Sequence, residues 1–164
     1  MGRPAALLML FTAGALVGAC DSTRPTTTVS PAAIGQIARD GTFDFTITQV
    51  NSSRTFGALH AKGVYVIASL TVKNVGVDPE VFDPSAQVLK DSARRYSASF
   101  MDPPYLGDIG NSVDAGLQVN VKLAFDVPPG AKPTQIVLHE SRSSEGIPVD
   151  LMQSLSRSPS PPRG

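Results

Sequence analysis

Apolar and polar residues alternate with a period of two through nearly every patterned stretch of this chain, which confines it to β-strands with one face turned to a core. Phe43, Phe45 and Ile47 alternate with Asp44, Thr46 and Thr48, and Val64, Val66, Ala68, Leu70 and Val72 with Tyr65, Ile67, Ser69, Thr71 and Lys73. Val119, Val121, Leu123, Phe125 and Val127 do the same against Asn120, Lys122, Ala124 and Asp126. Shorter strands are expected within 81–90, 95–100, 134–140 and 147–152. Turn formers separate them: Asn74-Val75-Gly76, Asp78-Pro79, Asp102-Pro103-Pro104, Asp114-Ala115-Gly116 and Pro128-Pro129-Gly130. No segment carries a sustained helical period with caps. About seven short strands divided by turns predict an all-β fold, an antiparallel sandwich of two sheets.

The chain has 164 residues and a single cysteine, so no disulfide forms within it. The position of that cysteine is informative. Arg3 gives a short positive start, and Pro4 to Ala19 is an uncharged stretch rich in Leu7, Leu8, Leu10, Phe11 and Leu16. It is short of the ~20 residues that a permanent membrane helix needs. Its end, Leu16-Val17-Gly18-Ala19-Cys20, resembles the bacterial lipobox. Cleavage is therefore expected between Ala19 and Cys20, with lipid on Cys20. Residues 1–19 read as a lipoprotein signal peptide and 20–40 as the lipidated cysteine followed by a flexible Thr/Pro/Ser tether. Residues 41–152 read as the folded domain, and 153–164 as a disordered Ser/Pro/Arg tail.

Little else in the sequence carries chemistry. Fourteen basic residues balance fourteen acidic ones, which gives no electrostatic footprint for nucleic acid. His60 and His139 are the two imidazoles, and neither has a zinc-type spacing to another ligand. Asp78, Glu80 and Asp83 lie close in sequence, and Asp102, Asp108 and Asp114 recur downstream, but without the glycine and closing glutamate of a calcium loop. Nucleophile elbows and glycine-rich phosphate loops are missing. The expectation is a domain that is not an enzyme and uses no cofactor or metal.

The stretch from Phe43 to Leu151 resembles a bacterial family of unknown function with an immunoglobulin-like fold. The similar pieces are Val66-Ile67-Ala68-Ser69-Leu70-Thr71-Val72-Lys73-Asn74-Val75-Gly76, Phe82-Asp83-Pro84-Ser85 with Val88-Leu89-Lys90-Asp91, the Arg95-Tyr96-Ser97 strand, and Leu123-Ala124-Phe125-Asp126-Val127-Pro128-Pro129-Gly130-Ala131. Members of that family are commonly lipoproteins or secreted proteins, and some carry the misleading name telomeric repeat-binding factor 2. The resemblance implies an immunoglobulin-like β-sandwich, related in architecture to the secreted immunoprotective proteins of mycobacteria. It brings no catalytic residues. Ser92-Ala93-Arg94 departs from the glycine-bearing hairpin turn that relatives often place there.

One segment has too many large apolar groups for a plain loop. Phe100, Met101, Tyr105, Leu106 and Ile109 are interleaved with Pro103, Pro104, Gly107 and Gly110, which oppose a regular strand or a long helix. Either the segment folds over an edge or open end of the sandwich, or part of it forms a partner surface. The expected function is that of a lipoprotein held through Cys20 on the extracytoplasmic face of the cell membrane. Its domain would be a non-catalytic binding or structural module for an envelope protein. The alternative is a carrier or accessory protein that binds a metal ion or a small apolar ligand.

Overall fold

The computed structural model describes residues 30–104 and 111–152. The chain forms, in order, β1 (Ala32–Ala33), β2 (Ala38–Asp40), β3 (Phe43–Phe56), β4 (Leu59–Asn74) and β5 (Glu80–Val81). A 3-10 turn at Pro84–Ala86 leads into β6 (Val88–Lys90), β7 (Arg95–Ser97), β8 (Phe100–Asp102) and β9 (Ser112–Val113). The last three strands are β10 (Gln118–Val127), β11 (Gln135–Leu138) and β12 (Ile147–Asp150). One sheet has the order β1-β12-β11-β6-β7, the other β2-β3-β4-β10-β8, and β5 and β9 form a small ribbon.

The two larger sheets enclose one core, as the alternation requires. Phe43, Phe45, Ile47, Val66, Ala68, Leu70, Val72, Val121, Leu123 and Phe125 point inward from the second sheet, against Leu89, Ile136, Leu138 and Val149 from the first. Phe82, just after β5, completes an aromatic group with ring centroids 6.2 Å from both Phe43 and Phe45. The fold is thus an all-β sandwich without a disulfide.

Several details differ from the sequence expectation. There are twelve strands among the described residues rather than about seven, because seven of them are only two or three residues long and show no period of their own. The folded unit starts before residue 41: Ala32–Ala33 and Ala38–Asp40, read above as tether, are strands. β1 also pairs parallel with β12, an exception to the antiparallel rule. Small alanines at 32, 33 and 38 carry too little hydrophobic contrast to advertise these pairings. Gly35, at φ +83°, turns the chain from one sheet to the other, and its N–H donates to the Ile47 carbonyl at 2.8 Å. Finally, the stretch around Pro103, expected to resist strand formation, contains β8 on one side and β9 on the other.

Two buried amides tie the loops to this frame. Gln87 donates through Nε2 to the carbonyls of Asp83 and His139, both at 2.9 Å, and its Oε1 accepts the His139 N–H at 2.8 Å. Asn74 plays the same part at the end of β4. Buried polar side chains are tolerated when satisfied in this way. At 91–94, where Ser92-Ala93-Arg94 lacks the relatives' glycine, Asp91 closes the β6–β7 hairpin: its Oδ1 accepts the N–H groups of Ala93 (2.8 Å) and Arg94 (2.6 Å). The backbone N–H of Ala93, followed by that of Arg94 and the Tyr96 hydroxyl, holds the Asp91 carboxyl below its ordinary range against opposing desolvation.

Candidate functional site

β3 and β4 run past the sandwich as one long hairpin, closed by Gly57-Ala58 with Gly57 at φ +59°. Near its tip the pairing slips. Between Ser53↔Tyr65 and Thr55↔His60, β3 advances two residues while β4 advances five. The extra residues of β4 swing toward the end of β10, where the Asp126 carboxylate accepts the N–H groups of Lys62 (2.9 Å) and Gly63 (3.1 Å). Position 63 must be glycine, since a Cβ there would overlap the Val127 carbonyl oxygen. The bulge tips the hairpin end over the outer face of the second sheet, the face away from the core.

This explains why Tyr65 is buried although it lies on the polar side of the alternation. Its ring sits edge-on between Phe56 of the tip, centroids 6.3 Å apart, and Phe100 of β8, 6.0 Å apart. Its hydroxyl donates to the His60 carbonyl at 3.3 Å. Burial, with the Asp126 charge added to it, raises the Tyr65 phenol above its ordinary value, so the hydroxyl stays protonated and available as a donor. Ala124, fully buried, lies opposite both Ile67 and Phe100 beneath this aromatic row.

Between the tip and β8 lies a cleft of ≈ 460 Å³ with Ile67 and Lys122 among its lining and Phe56, Leu59, Phe100 and Met101 along its sides. Asp102, the cross-strand partner of Lys122, adds one acidic group. Leu59 and Phe100 remain 41 % and 39 % exposed. A largely apolar concavity of this size with few polar groups is what a binding site for an apolar side chain or small molecule needs.

Residues 32–149 match the domain of unknown function DUF4352. The chain belongs to that family. Among solved structures, this DUF4352 domain is similar to the secreted protein MPT63 from Mycobacterium tuberculosis, at 16 % identity, with 74 % of this chain and 98 % of that chain covered and a TM-score of 0.56. It is also similar to the yjhA protein from Bacillus subtilis, at 16 % identity, 73 % and 98 % coverage and a TM-score of 0.54. At such identities the likeness carries the fold. No curated protein matches the chain.

The residues singled out in the sequence fall in different places on the DUF4352 domain. Phe100 and Met101 are brought together at the cleft, with Met101 also packed against the core. Tyr105, Leu106 and Ile109 lie outside the described residues, as do Ala19 and Cys20. Sequence reasoning missed Phe56, Leu59 and Tyr65; the available signal was Gly63 inside an apolar strand, which marks a bulge or a close backbone approach. Among the described residues, no group of three or more His, Cys, Asp or Glu side chains is placed to hold a metal. Asp83 instead caps the 3-10 turn through the Ser85 N–H (2.9 Å) and pairs with Arg142 at 2.7 Å. Burial alone would raise its pKa, but the hydrogen bonds from Ser85 and Arg142 outweigh this and lower it.

His60 sits at the exposed start of β4, while His139 is buried just after β11. A Cβ on Gly146 would lie 2.6 Å from the His139 ring, so the imidazole packs in space that only a glycine there leaves open. Its Nδ1 has no hydrogen-bond partner. Burial lowers its pKa below the ordinary 6.5, against partial opposition from Asp40. On acidification the unfolded chain takes up this proton before the folded chain does, so stability should fall as the pH drops below about 6.5 and continue falling to the folded pKa. Urea unfolding of the wild type and His139→Gln between pH 8 and 5 checks this, the variant being expected to show the flatter profile. Asp44, held low by its hydrogen bond to Arg39, and Asp83 act only below their ordinary 3.8.

Proposed function

We propose that the protein is a lipid-tethered extracytoplasmic module whose DUF4352 domain binds a protein partner, without catalysis, through the cleft between the β3–β4 tip and β8. The observation that carries this reading is the persistent exposure of Leu59 and Phe100 beside a built apolar concavity. The lipobox at Leu16 to Cys20 supports the tether, and the fold it shares with the secreted MPT63 protein is in keeping with a place outside the cytoplasm. Edge strand β8 adds backbone groups with which an extended partner segment can pair.

In-cell photocrosslinking from residues 59 and 100 tests the binding reading. A single adduct of defined mass is expected from both positions, and not from Gln118 at the start of β10. Phe100→Ser should abolish the adduct from position 59 while leaving the melting transition in place. Equal labelling from all three positions would refute the cleft as the binding surface. Cys20→Ala tests the tether: the chain should leave the membrane fraction or accumulate unprocessed. Because the cleft is also large enough for a small apolar ligand, native mass of the purified protein decides between a carrier and a protein-binding module.

A further inference from the structure

Four large aliphatic side chains stand out at one end of the sandwich: Val75, Val77, Val81 and Leu117, with Val77 90 % exposed. Their loops are held by buried Asn74. Its Nδ2 donates to the carbonyls of Asp78 (2.7 Å) and Val113 (2.9 Å), and its Oδ1 accepts the Gly76 N–H at 2.8 Å. Its backbone N–H donates to the Leu117 carbonyl, and its carbonyl accepts the Gly116 N–H. Apolar groups on loops fixed in this way give up little further freedom when something covers them.

Strand directions show which end this is. The carbonyl of Thr42, in the β2–β3 turn, accepts the Val75 N–H at 2.8 Å, and the Thr42 N–H and hydroxyl both donate to Glu140 Oε1 at 2.6 Å. Glu140 follows β11, and Leu138 at the end of β11 pairs with Ile147 at the start of β12. Because β1 runs parallel to β12, with Ala32 beside Val149, the residues preceding Ala32 lie toward Ile147 and so toward the Val75 end. Asp150, opposite Gln135, is at the other end. The route from Ser30 back to Cys20 therefore starts on the side of the exposed aliphatics. It is about ten residues, at most roughly 36 Å of chain.

We infer that this end of the domain is a bilayer-docking surface, with Val75, Val77, Val81 and Leu117 entering the lipid surface when the chain is anchored through Cys20. The inference rests on the tethered reading proposed above. A lipid anchor holds more firmly when a second contact supports it, and these loops supply one. Charge selects the lipid. Asp78, Glu80 and Asp114 lie on the same loops, with Lys73 beside them, so the surface suits zwitterionic headgroups and is repelled by anionic ones. The same acidic rim opposes a second copy packed on this end.

The chain contains no tryptophan, so one introduced indole reports its own surroundings. Val77→Trp and, at the hairpin tip, Ala58→Trp are made in the full lipidated chain and reconstituted into phosphatidylcholine vesicles with or without brominated acyl chains. Flotation is measured on the same samples. Both variants should float, and the Val77→Trp emission should shift to the blue and be at least halved by bromine, whereas Ala58→Trp stays unchanged. Replacing about a third of the lipid by phosphatidylserine should weaken the quenching. Flotation with Val77→Trp unquenched overturns the docking and leaves the tether standing. A blue shift without bromine quenching overturns it in favour of a protein over the patch, a second copy included. Equal quenching of both probes overturns the orientation. Failure to float is the distinct result that removes the tether, and the docking with it.

Discussion

Phe125→Ala should lower the unfolding free energy by about 3 to 5 kcal/mol, the range expected for truncating a wholly buried phenylalanine. Phe125 is wholly buried on β10, opposite Val66 of β4, and belongs to the cluster that both sheets share. Removing its ring forfeits the transfer free energy of the aromatic side chain and leaves a cavity between two hydrogen-bonded layers that can collapse only partly. Leu70→Ala, one strand away on the same face, should cost about 2 to 5 kcal/mol for the same reason. Thr71→Ala provides the contrast. Its side chain lies on the outer face, half-buried, and donates to Asn120 Oδ1 at 2.7 Å, so about 0.5 to 1.5 kcal/mol is at stake. Equilibrium unfolding in urea checks all three, and a loss at Thr71 equal to that at Leu70 would mean that the assigned faces are wrong.

The contrast between Leu70 and Thr71 is legible in the sequence because β4 and β10 are long, and a period of two shows itself over many residues. So were the inward faces of β3, β4 and β10 and the turn chemistry between strands. The same reasoning fails for Ala32–Ala33 and Ala38–Asp40. A two-residue strand has no period, and its partner, β12 for the first and β3 for the second, is chosen by tertiary geometry. For the site, Phe100 and Met101 were marked by an excess of apolar residues among turn formers. Tyr65 was not, because alternation assigns it to the polar side. It is buried only because residues 55–59 lean over it, a consequence of a pairing slip that local pattern does not encode. Asp91 shows the reverse case, in which a carboxylate accepting two backbone N–H groups closes a turn whose Ser92-Ala93-Arg94 lacks the glycine of relatives.

Gly63→Ala should remove about 3 kcal/mol, the upper part of the range for overpacking, because the obstacle is a backbone carbonyl that cannot turn aside. The Val127 oxygen occupies the space that the new methyl group needs, and β4 pairs with β10 at the very next residue, Val64↔Val127. Relief requires the two strands to part there. That would draw Lys62 and Gly63 away from the Asp126 carboxylate, the anchor that aims the hairpin tip over the outer sheet face. Gly57→Ala is the matched comparison: its positive φ makes alanine costly by roughly 1 kcal/mol, but no atom obstructs its Cβ. Hydrogen exchange separates the two variants. Gly63→Ala should lose protection at residues 62 and 63 and expose the Tyr65 ring, with Leu70 and Leu123 amides still slow, whereas Gly57→Ala should change only the turn. Because Phe56 and Leu59 reach the cleft solely through this fold-back, Gly63→Ala should also lose the crosslink from position 59 at temperatures where the core remains folded. Retention of that crosslink alongside the lost protection would mean that the partner contacts the tip even when it no longer folds back over β8, and the cleft would then be no part of the binding surface.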